Sequence, residues 1–183
     1  MWVFIKHPGG VDTEQGECLK YQKKNRRASP HCYADKFGFK FDAGTPLWAV
    51  PAGLALQGAT QNEIDEDDAK MLIKNGCIAV SEGANMPTNK GGIDAFQDAS
   101  TLYAPGKAAN AGGVATSGLE MTQNSMRISW SREELDSRLR EIMSNIHAQC
   151  SEYGNHNGQA HQVTGAKIRC FVIVAARMPA DGV

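Results

Sequence analysis

The stretch from Tyr103 to Ser125, YAPGKAANAGGVATSGLEMTQNS, has residue types suited to binding an anionic group. From Ala108 to Gly113 no side chain is larger than that of Asn110, so backbone N–H groups can approach a ligand closely. The glycine pair precedes a predicted helix, whose first N–H groups are unpaired and carry the positive end of the helix dipole. The same composition also suits a tight turn against a neighbouring helix, and local chemistry leaves both interpretations open.

Two groups of residues resemble metal ligands by type, but their arrangement argues against a metal site. The acidic run from Asp65 to Asp68 stands at the start of a predicted helix, where the helix dipole stabilises negative charge. Hard-cation sites instead need carboxylates that converge in a loop. The second group, which matches no common zinc spacing, consists of His147, Cys150, His156 and His161. We therefore expect no metal site in this chain.

Familiar catalytic motifs are absent from the sequence. The GxGxxG turn that holds the pyrophosphate of a dinucleotide does not occur, and neither do GxxxxGKS/T, GxSxG or HExxH. Lys107 and Glu82 are candidate bases, but neither has a nucleophile or a second base beside it. We expect both side chains to have structural roles.

Three short apolar runs, each followed by a predicted helix, indicate βαβ units and a parallel sheet. The runs are Gly53 to Gln57, Cys77 to Gly83 and TLYAPG from Thr101, and the helices are QNEIDEDDAKMLIKNG from Gln61, Gly91 to Ala99 and Val114 to about Arg127. In such sheets ligands bind outside the carboxyl ends of the strands. The loops at those ends, ATQNE, GANMPT and GKAANAGG, are therefore predicted to open on one crevice.

Other elements are predicted on either side of these units. A long amphipathic helix begins at a capping box from Ser131 to Glu134, and its apolar face comprises Leu135, Leu139, Ile142, Met143, Ile146 and Cys150. The apolar segment Ala166 to Met178 is predicted to be a helix that ends before Pro179. Residues 1–50 are the least regular part, with a basic run typical of a solvated helix face and a short strand at FKF.

Composition limits the classes of partner and the compartment. The 183 residues suit one domain, and a net charge of −1 gives no overall field that favours nucleic acid or an anionic membrane. No apolar stretch reaches the roughly 18 residues of a membrane span, and no export signal is visible. The five cysteines are scattered and include no CxxC pair, which favours a reducing compartment. The sequence therefore predicts a cytoplasmic protein without disulfides that binds neither nucleic acid nor membrane.

Three longer segments of the sequence are distinctive: ATQNEID at 59–65, AVSEGANMPTN at 79–89 and APGKAANAGGVATSGLEMTQNS at 104–125. They resemble the C-terminal half of the hexameric glutamate dehydrogenases, within the Glu/Leu/Phe/Val dehydrogenase family, and especially the microbial NADP-type enzymes. The likeness extends to YADKFG from Tyr33, to IMSNIHAQC and, more weakly, to GAKIRCFVIVAARM. It implies an α/β fold, the second half of a Rossmann-type coenzyme-binding domain plus C-terminal helices. Residues 1–32 would form an irregular lead-in, 33–160 the βαβ units and long helix, and 161–183 the C-terminal helix.

The resemblance implies reversible oxidative deamination of L-glutamate to 2-oxoglutarate and ammonia, with hydride passing to NADP or NAD. At positions that match the family's motifs, Thr60, Gln61, Ala84 and Asn85 would face the cofactor, and Asn110 would lie close to the nicotinamide. The Val114 backbone and the Ser117 hydroxyl would hold the side-chain carboxylate of glutamate. Full-length members of the family are homo-hexamers.

This sequence also departs from the family pattern. In the family, a glutamate-binding domain with the catalytic lysine and aspartate, then a glycine-rich pyrophosphate turn, precede this half, and neither is found in this sequence. We therefore expect no catalytic residue and no activity from the chain alone. Gly53, Gln57 and Gly58 replace Asp and a Pro-Cys pair, and GAKIRCF, with Arg169 and Cys170, replaces GANIAGF. The alternatives to an enzyme fragment are a non-catalytic module that assembles with a full-length dehydrogenase and a fold relic.

Overall fold

Chain contacts divide the protein into two units, Met1–Val50 and Pro51–Val183, in a computed structural model that describes residues 3–7, 9–27, 29–44, 46–156, 159–179 and 182. The sequence-based division, one partial coenzyme-binding domain with a lead-in over 1–32 and βαβ units from residue 33, stays a prediction, whereas the chain contacts separate two units after Val50.

The N-terminal unit is a two-stranded antiparallel sheet with helices between its strands. Its elements are β1 (Val3–Lys6), α1 (Thr13–Tyr21), a π-helical turn (Gln22–Arg26), α2 (Pro30–Phe37) and β2 (Lys40–Ala43). The Asp12 side chain accepts from the Gln15 N–H, and the Gln15 side chain accepts from the Asp12 N–H, so α1 has a complete capping box. The predicted irregular lead-in is therefore wrong, because local capping forms helices here without a long apolar pattern. The short strand predicted at FKF is confirmed as β2.

The larger unit contains the predicted βαβ arrangement. Its parallel sheet has the order β3-β4-β5, formed by β3 (Leu54–Gln57), β4 (Ala79–Glu82) and β5 (Leu102–Ala104). The connections are α3 (Glu66–Lys74) and α4 (Lys90–Asp98). All three strands therefore end at the same edge, which confirms an α/β fold with parallel strands and flanking helices.

Side chains alternate across the parallel sheet, as strand geometry requires. The buried face contributes Ala55, Gln57, Val80, Glu82 and Tyr103. The same core contains Leu72 of α3 and Phe96 of α4, and the Phe96 ring lies 5.7 Å from that of Tyr103. On the opposite face Leu54, Leu56 and Leu102 are 60–73% exposed. One face of the sheet is thus a core, and the other presents apolar side chains.

Side-chain caps begin the helices at the positions that the sequence indicates. Asp65 accepts from the Asp68 N–H at the start of α3, which explains the acidic run as a helix start. Ser131 accepts from the Glu134 N–H, but the Glu134 carboxylate pairs with Arg138 at 2.9 Å. At the start of α7 the structure therefore contains the Ser131 half of the predicted capping box, whereas the Glu134 carboxylate is directed to Arg138.

The remaining helices cover the C-terminal third of the chain. They are α5 (Gly106–Ala109), α6 (Ala111–Met126), α7 (Arg132–Tyr153) and α8 (Gln162–Arg177), with a short hairpin of β6 (Asn155–His156) and β7 (Gln159–Ala160) before α8. α6 begins at Ala111, three residues before the predicted Val114, and its first turn therefore includes the glycine pair. Among the described residues, no helix combines the length and apolar character needed to cross a bilayer.

Two of the residues that differ from the family pattern, Gln57 and Arg169, form hydrogen bonds within the chain. The Gln57 side chain is fully buried, and its Nε2 donates to Thr88 Oγ1 at 3.1 Å. Arg169 on α8 donates through Nε to Gln149 Oε1 at 2.9 Å, and its guanidinium lies 5.7 Å from the centre of the Tyr153 ring on α7. Arg169 therefore contributes to the contact between α7 and α8.

Close approach of α7 and α8 depends on glycine at position 165. A Cβ added to Gly165 would overlap the carbonyl oxygen of Cys150, a buried residue near the end of α7. Gly165→Ala is therefore expected to lower the free energy of unfolding by about 1–3 kcal/mol, the usual cost of overpacking. Urea denaturation followed by circular dichroism measures this change.

Gly118→Ala provides the matched control, because Gly118 lies in the exposed interior of α6 with no atom within 4 Å of an added Cβ. Alanine there is expected to stabilise the protein by about 0.5–1 kcal/mol, since it restricts the unfolded chain. Equal stability of the two variants would contradict the proposed close packing of α7 and α8.

Candidate functional site

The loops that follow β3 and β4 pair with each other beyond the sheet. The Asn62 N–H donates to the Met86 carbonyl at 3.0 Å, and the Ile64 N–H donates to the Pro87 carbonyl at 2.9 Å. Asn62 and Met86 adopt left-handed backbone conformations, with φ of 52° and 50°. This ladder fixes the two predicted crevice loops side by side.

Glycine allows the ends of β3 and β4 to approach closely. The Gly83 N–H donates to the Gln57 carbonyl at 2.6 Å, and the Ala84 N–H donates to the same oxygen at 3.0 Å. A Cβ on Gly83 would lie 3.0 Å from that oxygen, closer than side chains normally come. The chain can therefore turn directly from β4 into the loop that lines the crevice.

Glu63 holds the first loop from within the protein. Its side chain is 9% exposed, and Oε2 accepts from the backbone N–H groups of Ala59 and Thr60 at 3.3 and 3.2 Å. These two contacts fix the loop backbone from within the protein.

Glu82 joins three elements at the base of the crevice. Its carboxylate accepts from the Tyr103 hydroxyl at 2.5 Å, the Gly106 N–H at 2.6 Å and the Thr88 N–H at 3.3 Å. Burial and the hydrogen bond to Glu82 raise the pKa of Tyr103 far above its usual value, so the phenol remains a donor near neutral pH. These contacts agree with the structural role predicted for Glu82, whereas Lys107 lies exposed on α5.

Asn110 connects the second and third loops. Its Nδ2 donates to the Ala84 carbonyl at 3.2 Å and to Asn85 Oδ1 at 2.7 Å. Because a backbone carbonyl can only accept, the Ala84 contact fixes the orientation of the Asn110 amide, and the Asn85 amide follows. Asn110 Oδ1 is left as an acceptor and Asn85 Nδ2 as a donor.

These loops border an open cleft of about 560 Å³ at the carboxyl ends of the strands. Its lining comprises Gly58, Ala59, Gln61, Gly83, Ala84, Asn85, Asn110 and Val114. The structure thus brings together five of the predicted site residues, Gln61, Ala84, Asn85, Asn110 and Val114. Ala59 and Gly83 lie in the predicted crevice loops but are not among the predicted site residues, and sequence reasoning missed Gly58, although the small size of all three is the signal that a backbone can approach a ligand there.

Two predicted site residues stand apart from the lining of this cleft. Thr60 is exposed next to Gln61, and its N–H is bound to Glu63. Ser117 is exposed on α6, and its hydroxyl donates to the Gly113 carbonyl at 3.3 Å. The predicted glycine turn before α6 is wrong in detail, since Gly112 and Gly113 are helical.

The cleft is suited to hydrogen bonding rather than to proton transfer. Its lining side chains carry no charge, and its polar groups are the amides of Gln61, Asn85 and Asn110. Around the amides of Asn85 and Asn110, an electrically neutral polar group with both donors and acceptors would be complementary.

The possible zinc ligands do not form a common site in the part of the chain that the structure describes. No group of three or more His, Cys, Asp or Glu side chains there is placed to share a metal ion. Burial, followed by the nearby Cys170 thiol, raises the pKa of Cys150, so this thiol stays protonated near neutral pH. The side chain of His156 lies outside the described part.

Comparison with known proteins gives a consistent result. The chain matches the family model for Glutamate/Leucine/Phenylalanine/Valine dehydrogenase over residues 4–182. The glutamate dehydrogenase of Bacteroides thetaiotaomicron is 49% identical over 181 residues, which are 98% of this chain and 41% of that protein. The NADP-specific glutamate dehydrogenase of Salmonella typhimurium is 55% identical over 151 residues, 82% of this chain and 34% of that protein.

The crystal structure of Plasmodium falciparum glutamate dehydrogenase superimposes with a TM-score of 0.93 at 40% identity, covering 99% of this chain and 39% of that one. This chain therefore spans about two-fifths of the length of the relatives that it matches. The family match extends over almost every residue, including the loops that form the cleft. From this match and from the shared fold, we conclude that the chain belongs to the glutamate/leucine/phenylalanine/valine dehydrogenase family.

Proposed function

We propose that the cleft receives the nicotinamide end of NADP, or of NAD, in a glutamate dehydrogenase-type active site. The reaction would be oxidative deamination of L-glutamate to 2-oxoglutarate and ammonia, with hydride passing to the nicotinamide ring when the coenzyme is bound. The observation that carries this proposal is the fixed amide pair of Asn85 and Asn110 in an uncharged cleft. NADP is favoured over NAD because relatives such as the Salmonella typhimurium enzyme are NADP-specific.

The amide pair complements a carboxamide. A primary carboxamide donates through its NH₂ group and accepts through its oxygen. Asn110 Oδ1 is available to accept, and Asn85 Nδ2 is available to donate, because the other bonds of both amides are fixed within the protein. A carboxylate has no donor for Asn110 Oδ1, so the pair would discriminate against it. Gln61 and the backbone at Ala84 would contact the same ligand, with Thr60 beside them.

We place the side-chain carboxylate of glutamate at α6. Val114 lines the cleft and is 72% exposed, and Ser117 lies one turn further along the helix with an accessible hydroxyl. The N-terminal end of a helix favours negative charge, and a hydroxyl donates well to a carboxylate. The Ser117 hydroxyl, now bound to the Gly113 carbonyl, would turn toward the substrate.

Turnover would need groups beyond those that line this cleft. When hydride leaves the amine-bearing carbon of glutamate, the amino group must give up a proton to a base. The cleft lining offers only neutral side chains. The relatives are more than twice as long as this chain, and we propose that catalytic residues come from the part of such a protein that this chain does not span. We also propose a cytoplasmic location, which the free cysteines favour, and assembly into a homo-hexamer with that remaining part.

A second candidate function is non-catalytic assembly with a full-length dehydrogenase. The exposed leucines on one face of the parallel sheet favour it, because apolar surface of this kind stabilises association when it is covered. Within the described part of the chain β3 is also an edge strand of its sheet, a position that favours pairing with a further strand. Size-exclusion chromatography of the chain with and without a full-length relative tests this second candidate. Co-elution with the relative would support assembly, and separate elution as a monomer would count against it.

Asn110→Asp tests the proposed coenzyme site. An aspartate cannot donate to the Ala84 carbonyl, and it would place a negative charge beside two acceptors. We expect the variant to bind NADP⁺ at least about tenfold more weakly than the unchanged chain, the effect of leaving such a contact unmade. Isothermal titration calorimetry measures both dissociation constants.

Asn124→Asp is the matched control, since it makes the same chemical change on an exposed part of α6 outside the cleft lining. It is expected to leave NADP⁺ binding within about twofold of the unchanged chain, given that exposed charges are well screened. An equal loss in both variants, or none in Asn110→Asp, would contradict the site.

The purified 183-residue chain is expected to show no steady reduction of NADP⁺ when mixed with L-glutamate, because the cleft lining supplies no base. Absorbance of NADPH over time measures this directly, with a full-length glutamate dehydrogenase as positive control. Continuous NADPH formation by the chain alone would show that it contains a complete active site.

A further inference from the structure

Glu82 is a buried carboxylate next to the cleft that does not itself line it. It is 4% exposed and is the last residue of β4, directly before the cleft residues Gly83, Ala84 and Asn85. We infer that Glu82 is a positioning residue, which sets the distance between the Ala84–Asn85 loop and Asn110 and thereby the affinity for the nicotinamide end of the coenzyme. The part concerning the coenzyme rests on the proposed function.

The contacts of Glu82 come from three separate elements. Oε1 accepts from the Tyr103 hydroxyl on β5 and from the Thr88 N–H in the loop after β4. Oε2 accepts from the Gly106 N–H, the first residue of α5. Both oxygens of the Glu82 side chain accept in this arrangement, whereas the amide of glutamine would turn one NH₂ group toward a donor.

The same two chain segments are connected a second time at the cleft. Asn110, which follows α5, donates from its backbone to the Gly106 carbonyl at 2.9 Å and from its side chain to the Ala84 carbonyl at 3.2 Å. The segments 82–85 and 106–110 are therefore joined at one end by Glu82 and at the other by Asn110. Removing the first connection leaves the β4–β5 pairing, which ends at Ser81 and Ala104, and the Asn110 contacts to set the spacing at the cleft.

The space between these segments is narrow. A Cβ on Gly106 would lie 3.0 Å from the Ala84 carbonyl oxygen and 3.2 Å from Glu82 Oε2. Because α5 approaches the loop this closely, a small displacement at Gly106 moves Asn110 relative to Asn85. The amide pair needs a defined separation to bind both ends of one carboxamide.

Glu82→Gln is the direct test, and Leu72→Ala is the matched control. Leu72 is 1% exposed in α3 and is absent from the cleft lining, so its truncation destabilises the core without changing a cleft contact. If Glu82 only stabilised the fold, the two variants would behave alike below their unfolding transitions. Tyr103→Phe removes one of the three donors to the Glu82 carboxylate. It replaces Glu82→Gln as the test variant if that protein does not fold.

The first measurement uses the ¹⁵N-labelled chain without ligand. The side-chain NH₂ resonances of Asn110 are expected to shift in Glu82→Gln and in Tyr103→Phe and to stay in place in Leu72→Ala, because only the first two loosen the contact with α5. Resonances unmoved in the Glu82 and Tyr103 variants, or moved equally in all three, would overturn the positioning role.

The second measurement is the dissociation constant for NADP⁺ by calorimetry. Glu82→Gln is expected to raise it about tenfold and Tyr103→Phe about threefold, with Leu72→Ala unchanged. Unchanged affinity in Glu82→Gln would overturn the link to the coenzyme. Failure of the unchanged chain to bind NADP⁺ would instead overturn the proposed function, and the resonances would still decide whether Glu82 positions Asn110.

Discussion

The contacts of one buried carboxylate determine how the cleft is built. Glu82 ends β4, and its partners belong to β5, to the loop after β4 and to the start of α5. A buried carboxyl group is tolerated when several donors replace the hydrogen bonds to water that it has lost. Those donors exist because the parallel strands end at one edge and bring three loops together. The geometry of the Asn85–Asn110 amide pair therefore depends on the β3-β4-β5 sheet.

Much of the larger unit can be predicted from the sequence, because its signals are local. The apolar runs, the acidic start of α3 and the glycine after α3 each specify an element within a few residues. Parallel strands then require a crevice at their carboxyl ends, and this brings Gln61, Ala84, Asn85, Asn110 and Val114 to one cleft. The resemblance to a family identified these residues, and their proximity follows from the topology.

What the sequence does not predict depends on contacts between distant residues. Tyr103 and Gly106 lie 21 and 24 positions after Glu82, and no local pattern indicates that one carboxylate binds both. The glycine pair at 112–113 suits a turn as well as a helix, and the structure has the helix since α6 begins at Ala111. In the N-terminal unit the capping box of Asp12 and Gln15 forms a helix where the apolar pattern is weak.

Recognition of a carboxamide by the Asn85–Asn110 pair, which we propose, is tested most directly by comparing two ligands that differ only in that group. Calorimetric titration of the chain with NADP⁺ and with its nicotinic acid analogue, which carries a carboxylate instead, measures the discrimination. We expect NADP⁺ to bind at least about tenfold more tightly than the analogue, since the carboxylate has no donor for Asn110 Oδ1. Equal or tighter binding of the nicotinic acid analogue would contradict it.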